Sequence, residues 1–429
     1  MKDLLLRQVT VIDPKGPAHK QIKDVRVRNG VIEKIGDRII AGKTKVIKHP
    51  GLHVSPGWVD LRAHFREPGE EYKQGLQNGL DAAAAGGFTA VAVLPSTDPP
   101  LDDRAGIHHL LKQSAEHAVR LLPIGALSKG LQGEQMAELY DLKEAGAVAF
   151  SDDQAPLRNS RLLLLALQYA GPSGAPVIVF PNDPELAANG QMHEGPMSTR
   201  LGLRGSPALA EHVRLARDLA LRNYTGARMH VATVSTAQSV ELLRREGSTH
   251  GALSASVSAL HLLLDDGCLR SFDSLYKVLP PLRDRSHIEA LRQGVKDGTI
   301  GCIVSDHRPE DVEHKQREFG QAAYGAIGLE TSFAAANTAM KGSLSISKLV
   351  ERLCHGPRAV LGMEVPHLIE GTRAEMTLFD PAQEWTVTRA DLVSRSKNSP
   401  LIGHPLTGRP LGIVANGQVV LNEGLLRPA

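Results

Sequence analysis

Residues 56–69 read Pro-Gly-Trp-Val-Asp-Leu-Arg-Ala-His-Phe-Arg-Glu-Pro-Gly. Pro56 and Gly57 punctuate the start of this run. Trp58, Val59 and Leu61 are apolar and suit a strand covered on both faces. Asp60, Arg62, His64 and Arg66 alternate along it, so at strand period they point the same way. Four polar groups on one side of a core strand are too costly to bury unpaired. They therefore belong at the strand's end, facing one another, a ligand or water.

Working outward, apolar strand-like runs alternate with helical stretches. A helix over 72–85 is stopped by Gly86-Gly87, and 89–94 reads as the next strand. Further strands are expected at 119–126, 147–150, 176–180, 228–231, 253–257 and 300–305. Helices at 104–117, 134–145, 161–169, 208–222, 236–245 and 286–296 separate them. Eight strands with intervening helices predict a (β/α)8 TIM barrel over 55–369. The chain ends read differently. Asn29-Gly30 and Asn416-Gly417 each join two short alternating runs, the strongest short hairpin signal. A lone hairpin is marginal in water, so residues 1–54 and 370–429 are expected to pair into one small composite β domain.

The chain has 429 residues and a formal net charge of +2. That balance points to neither nucleic acid nor an anionic membrane as the main partner. Cys268, Cys302 and Cys354 are few and far apart, which argues against a disulfide framework or a thiolate metal site and fits a reducing cytosol. The longest apolar run, 162–167, is far short of a membrane span. A soluble cytoplasmic protein is expected.

Catalytic groups of such barrels cluster just past the C-terminal ends of the strands. The candidates there are Arg62, His64, Arg66, Ser96, Asp152, Asp153, Phe180, Thr233, Leu260, His261, Asp306 and His307. The run Asp60-Leu61-Arg62-Ala63-His64-Phe65-Arg66-Glu67-Pro68-Gly69 resembles the first strand of the dihydroorotase branch of the amidohydrolase superfamily, which carries Asp-x-His-x-His-x-Arg before Glu-Pro-Gly. The likeness continues through Ala83–Thr89, His193-Glu194-Gly195, Pro280-Pro281-Leu282-Arg283 and Gly328-Leu329-Glu330-Thr331. It implies the amidohydrolase barrel and hydrolysis of a cyclic amide by a zinc-bound hydroxide, with a carboxylate moving the proton.

Carried over position by position, the resemblance finds a damaged site. The family's first metal-binding His is Arg62, and the second is retained as His64. The bridging Asp is Asp153, and the catalytic and metal-binding Asp is Asp306. The two remaining His positions are Phe180 and Thr233. Among the substrate positions, Arg66 is retained, whereas Ser96, Leu279 and Glu310 stand where the family has Asn, Asn and His; Gly325 is a further family position. A guanidinium does not deprotonate in proteins. At ~4 Å from a divalent ion and an effective dielectric of ~20, its repulsion is roughly 8 kcal/mol. No metal is therefore expected. Arg62 is expected to take the metal's place by pairing with Asp153, Asp306 or both.

Plainer roles suit the neighbours. His261 and His307 read as structural, and Asp152 and Asp183 as turn residues or caps. The charged run 310–315 and Asp102-Asp103-Arg104 read as solvated loop or helix-start charges. The segment 123–134 is similar to the same region of noncatalytic dihydroorotase homologues that assemble with aspartate carbamoyltransferase. The resemblance thus implies a scaffolding role in pyrimidine biosynthesis, and a homodimer. Two alternatives stand beside it. One is an active dihydroorotase with a reduced zinc site built from His64, Asp153 and Asp306. The other is another cyclic-amide hydrolase, such as a hydantoinase or allantoinase.

Overall fold

The run beginning at Trp58 forms a strand, Trp58–Ala63, in which every residue is buried. In the computed structural model, which describes residues 3–155, 157–248, 252–422 and 424–425, it opens an eight-stranded parallel sheet. Phe88–Val93, Arg120–Gly125, Ala149–Phe150, Val177–Val179, Met229–Val231, Leu253–Ser258 and Cys302–Val304 follow in spatial order. The eighth strand comes back to the first through a bridge between Ala63 and His307, where the His64 N–H donates to His307 O at 2.8 Å. The sheet is thus a nearly closed barrel, as the alternation of runs predicts.

Helices lie between the strands, and several start at side-chain caps. Asp103 accepts from the Gly106 N–H, Thr236 from Ser239, and Asp284 from Ser286 and His287. Two expected helices start late. The first runs Leu76–Ala85, behind Gly75 at φ 83°. The helix expected over 134–145 is only Leu139–Glu144. Its intended first turn is drawn into a loop instead: Ser128 bridges Met136, and the Ala137 N–H donates to Leu127 O at 2.9 Å.

Both chain ends build a second sheet, mostly antiparallel. Its order is Gln418–Leu421, Pro405–Ala415, Met376–Thr386, His53–Pro56, Leu4–Val11, Ile22–Arg28 and Val31–Gly36, with Lys45–Ile47 also beside Leu4–Val11. Both expected hairpins form. Asn29 and Gly30 sit at φ 51° and 78°, and Asn416 and Gly417 at 45° and 70°, the pair of positive values that a type I′ turn requires. Trp58 seals the junction between barrel and sheet. Its ring packs on Phe88, Phe333 and Phe379, and its Nε1–H donates to Ser55 Oγ at 2.9 Å.

Between two strands of this sheet, residues 387–404 leave it and run to the mouth of the barrel. There Ser396 Oγ donates to Lys73 O at 2.6 Å, and Ser394 donates from N and Oγ to Glu330. Among the described residues, no helix is long and apolar enough to cross a membrane.

The barrel interior holds a pH-sensitive group. His230 is fully buried on the sixth strand, with its ring nitrogens on Ser254 Oγ and Ser256 Oγ at 2.9 and 3.0 Å. Burial, and secondarily Arg62, push it down to about 3. The folded state therefore refuses a proton that the unfolded chain takes up below about pH 6.5, so stability is lost as the pH falls through that window. Between pH 7.5 and 5.5 the wild type should lose about 1.4 kcal/mol more than a His230→Asn variant. Urea denaturation of both proteins at the two pH values measures the difference; parallel losses would refute it.

Candidate active site

The first strand delivers Arg62 to the centre of the barrel mouth, 2% exposed. Its Nε–H donates to Asp306 Oδ1 at 2.8 Å and its Nη2–H to Asp153 Oδ1 at 2.7 Å. The guanidinium carbon lies 5.3 Å from the centroid of Phe180, a cation–π contact. Burial disfavours the charge on Arg62, but Asp153 and Asp306 outweigh it and hold the proton more firmly than usual. Arg62 thus bridges the two acids that the sequence singled out.

Asp153 is held from a second side. Its Oδ2 accepts from Ser96 Oγ at 2.6 Å and from Arg308. Burial alone would raise this carboxyl; Arg308 and Arg62 overcome it and keep Asp153 far below the usual carboxylate range. Sequence reasoning missed Arg308. The only signal was a second cation two residues beyond Asp306.

His64 is brought to the same cluster, but its nitrogens are engaged. Nδ1 accepts from the Arg66 N–H at 3.0 Å, so the ring proton sits on Nε2, which donates to Ser96 O at 2.6 Å. Burial first, then Arg66 and Arg308, drive the ring well below its ordinary value, and it stays neutral. No lone pair remains for a metal. Behind the site, Asp60 accepts from Ser305 N and Oγ at 2.8 and 2.7 Å and ties the eighth strand to the first.

Arg66 heads a neighbouring network. It donates from Nε to Pro309 O at 3.0 Å, from Nη1 to Glu70 at 2.7 Å, and from Nη2 to Glu310. Lys73 Nζ reaches Glu70 at 2.5 Å and Glu310 at 3.0 Å. The two ends of the run 310–315 are therefore not solvated, contrary to its sequence reading, whereas Val312 and Glu313 between them are exposed. Glu310 is 6% exposed and Lys315 2%. Lys315 donates to Lys277 O and Ala323 O, and burial pushes it down to about 7. Asp311 and Glu313 behave as expected: Asp311 caps the helix Val312–Lys315 and Glu313 is exposed.

Across both networks four cations, Arg62, Arg66, Lys73 and Arg308, meet four carboxylates, Asp153, Asp306, Glu70 and Glu310. The charges balance without a further ion. Phe180 and Thr233 offer a ring face and a hydroxyl where imidazoles would be needed. The donor set at the barrel mouth does not fit a divalent metal, on charge, ligand count and the tautomer of His64.

The space is small as well. Leu279, Gln154, His261, Asp306, Arg308 and Gly325 border a cavity of about 10 Å³. Asp153 and Phe180 border one of about 20 Å³. Small-molecule sites typically span ~300 Å³ or more. A cleft of about 720 Å³ lies at the other end of the barrel, between the strand starts and the composite sheet, away from this chemistry.

The remaining candidates are engaged within the fold. His261 donates from Nε2 to Pro280 O at 2.9 Å, and His307 Nδ1 accepts from the Gly328 N–H at 3.2 Å. Asp152 accepts from Leu127 N, Ser128 N and Ser128 Oγ, and Asp183 caps the helix Pro184–Ala187. Leu260 is buried on a short helix. Four site positions, Arg66, Asp153, Thr233 and Asp306, hold φ between 48° and 61°. That is unusual for any non-glycine residue and costly for the β-branched Thr233.

One further cluster has metal-like spacing. His193, Asp284 and His287 place a ligand atom each within 4.8 Å of the others. Arg283 Nη1 donates to His193 Nδ1 at 3.2 Å, and the Ala237 N–H to His287 Nδ1 at 3.0 Å. Both imidazoles consequently carry their proton on Nε2 and present no free lone pair there.

Known proteins place this architecture. The family described as Dihydro-orotase-like matches residues 51–239. A dihydroorotase of Trichlorobacter lovleyi is 38% identical over 98% of this chain and 99% of its own length. One of Pelotomaculum thermopropionicum is 40% identical over 99% of this chain and its entire length. Among solved structures, the L-hydantoinase (dihydropyrimidinase) from Arthrobacter aurescens superposes with a TM-score of 0.85 at 24% identity, covering 100% of this chain and 98% of that one, a likeness of fold alone. With relatives this similar from end to end, the chain belongs to the dihydroorotase family.

Proposed function

We propose that this chain serves pyrimidine biosynthesis in the cytosol as a noncatalytic dihydroorotase homologue that binds and supports aspartate carbamoyltransferase. The observation that carries the reading is Arg62, lodged between Asp153 and Asp306. Hydrolysis of dihydroorotate needs an activated water and room for the ring, and these residues supply neither. The strained backbone at Asp153, Thr233 and Asp306 supports descent from a working site: turns that aim side chains inward persist where Thr233 has nothing left to coordinate.

A scaffold needs surface rather than a pocket. The segment that resembles the partner-binding homologues is exposed at Lys129, Gln132 and Glu134 and held rigidly beneath. Asp152 anchors its start, and Asp102 accepts from the Gly130 N–H at 2.7 Å. A homodimer is part of the same proposal. The alternative, an active dihydroorotase with a reduced zinc site, draws on the names of the relatives. It would require Arg62 to abandon two buried acids and His64 to change tautomer.

Three outcomes are expected. Protein purified without chelators should contain far less than one zinc per chain and should not turn over dihydroorotate. Stoichiometric zinc with turnover abolished by Asp306→Ala would overturn the noncatalytic reading, and single Phe180→His or Thr233→His variants should remain inactive. Arg62→Met should cost about 3–5 kcal/mol of unfolding free energy, because it strands buried carboxylates; a variant as stable as wild type in urea would refute the pairing. In analytical ultracentrifugation, the chain should co-sediment with the carbamoyltransferase of the same cell at micromolar concentration. Independent sedimentation, with a transferase fully active alone, would exclude the partnership.

A further inference from the structure

The cleft of about 720 Å³ at the base of the barrel is walled by the starts of the second and third strands and by both Asn-Gly hairpin turns. Its size is that of a small-molecule site, ~300–1,000 Å³. Two guanidiniums line it. Arg120 stands at the start of the third strand, and Arg373 on the segment that leads into Met376–Thr386; both are exposed. Among the described residues neither pairs with a carboxylate. Arg120 reaches Met363 Sδ at 3.8 Å, and the Arg373 side chain donates to no group there. The carboxylate in the cleft wall, Glu375, is already taken, by Arg358 and by Thr89 Oγ1 at 2.9 Å. The cleft therefore carries two uncompensated positive charges.

Its walls are fixed without help from a ligand. Asn416 Nδ2 donates to His117 O at 2.8 Å and Gln418 Nε2 to Glu116 O at 2.7 Å, tying one hairpin to the barrel. The other hairpin is tied to the Arg373 segment. There the Ala374 N–H donates to Gly30 O at 2.8 Å and the Ile32 N–H to Thr372 O at 2.9 Å. Arg120 is itself laddered to Ala90 on the second strand. A cleft formed in advance in this way gives up little freedom on binding. Beside the cations its lining is apolar, at Val31, Leu111 and Leu121.

We propose that this cleft binds a small organic phosphate, a phosphomonoester with an apolar body. A phosphomonoester carries about −1.5 to −2 charges near neutral pH. Two guanidiniums match that charge and its array of acceptor oxygens, whereas a single carboxylate satisfies only one of them. The apolar lining offers the organic part a surface that inorganic phosphate cannot use. The site lies at the opposite end of the barrel from Arg62, so the proposal stands whether or not the mouth is catalytic, and the two readings fail separately.

The probe is phenyl phosphate, titrated into the full chain by calorimetry at constant ionic strength, beside inorganic phosphate and phenol. Phenyl phosphate should bind at one site per chain, at least tenfold more tightly than either fragment. Arg120→Ala combined with Arg373→Ala should weaken it tenfold or more. Ala115→Trp, at an exposed position in the cleft wall, should block it by bulk without a change of charge. Arg161→Ala combined with Arg200→Ala, two exposed arginines outside the cleft, should bind like wild type. No saturable binding of phenyl phosphate, equal binding of either fragment, or binding that survives the Arg120 and Arg373 pair of substitutions or Ala115→Trp overturns the proposal. Should the double variant fail to fold, Ala115→Trp alone decides.

Discussion

The barrel mouth depends on one guanidinium. Asp153 and Asp306 project from opposite sides of the barrel, and two buried carboxylates repel unless a cation lies between them. Arg62 spans them with two nitrogens of one rigid fork. Together with Arg308 it sets two positive charges around Asp153, the charge of a divalent ion spread over two planar groups. These two groups balance the charge of Asp153. A guanidinium donates hydrogen bonds but has no empty orbital to take a water's lone pair, so it cannot make that water acidic. Beside this cation the phenyl ring of Phe180 offers its negative face.

The fold was legible in the sequence because its signals are local. Alternating apolar runs, Asn-Gly turns at 29–30 and 416–417, and Asp or Thr caps each act within a few residues. Boundaries slipped where a long-range contact won, as in the Ser128–Met136 bridge that delays the helix at Leu139. The Arg62 pairing was legible for a different reason: a permanent cation beside two acids that converge on the barrel mouth has few ways to be buried. The second network was not legible. Glu310 and Lys315 sit in a run that looks solvated, and their burial depends on Lys73, Lys277 and Asn398, all far away in sequence. Local pattern carries no information about which distant backbone covers a charged loop.

The excursion of residues 387–404 from the composite sheet to the barrel mouth has a consequence for the order of assembly. The chain leaves the ribosome N-terminal end first, at roughly 5–20 residues per second. Lys73 and Arg66 emerge early, and Glu310 some time later. Asn398, which fixes the Glu310 loop, and the sheet strands Met376–Thr386, which pairs with His53–Pro56, and Pro405–Ala415 beyond it emerge last. For about 5–20 seconds after the eighth strand is made, the barrel has its staves but neither its complete base cover nor the clasp at its mouth. The protein is thus a loop threaded back onto its own beginning. The buried charges at the mouth are the last part to be dried, when the final tenth of the chain arrives.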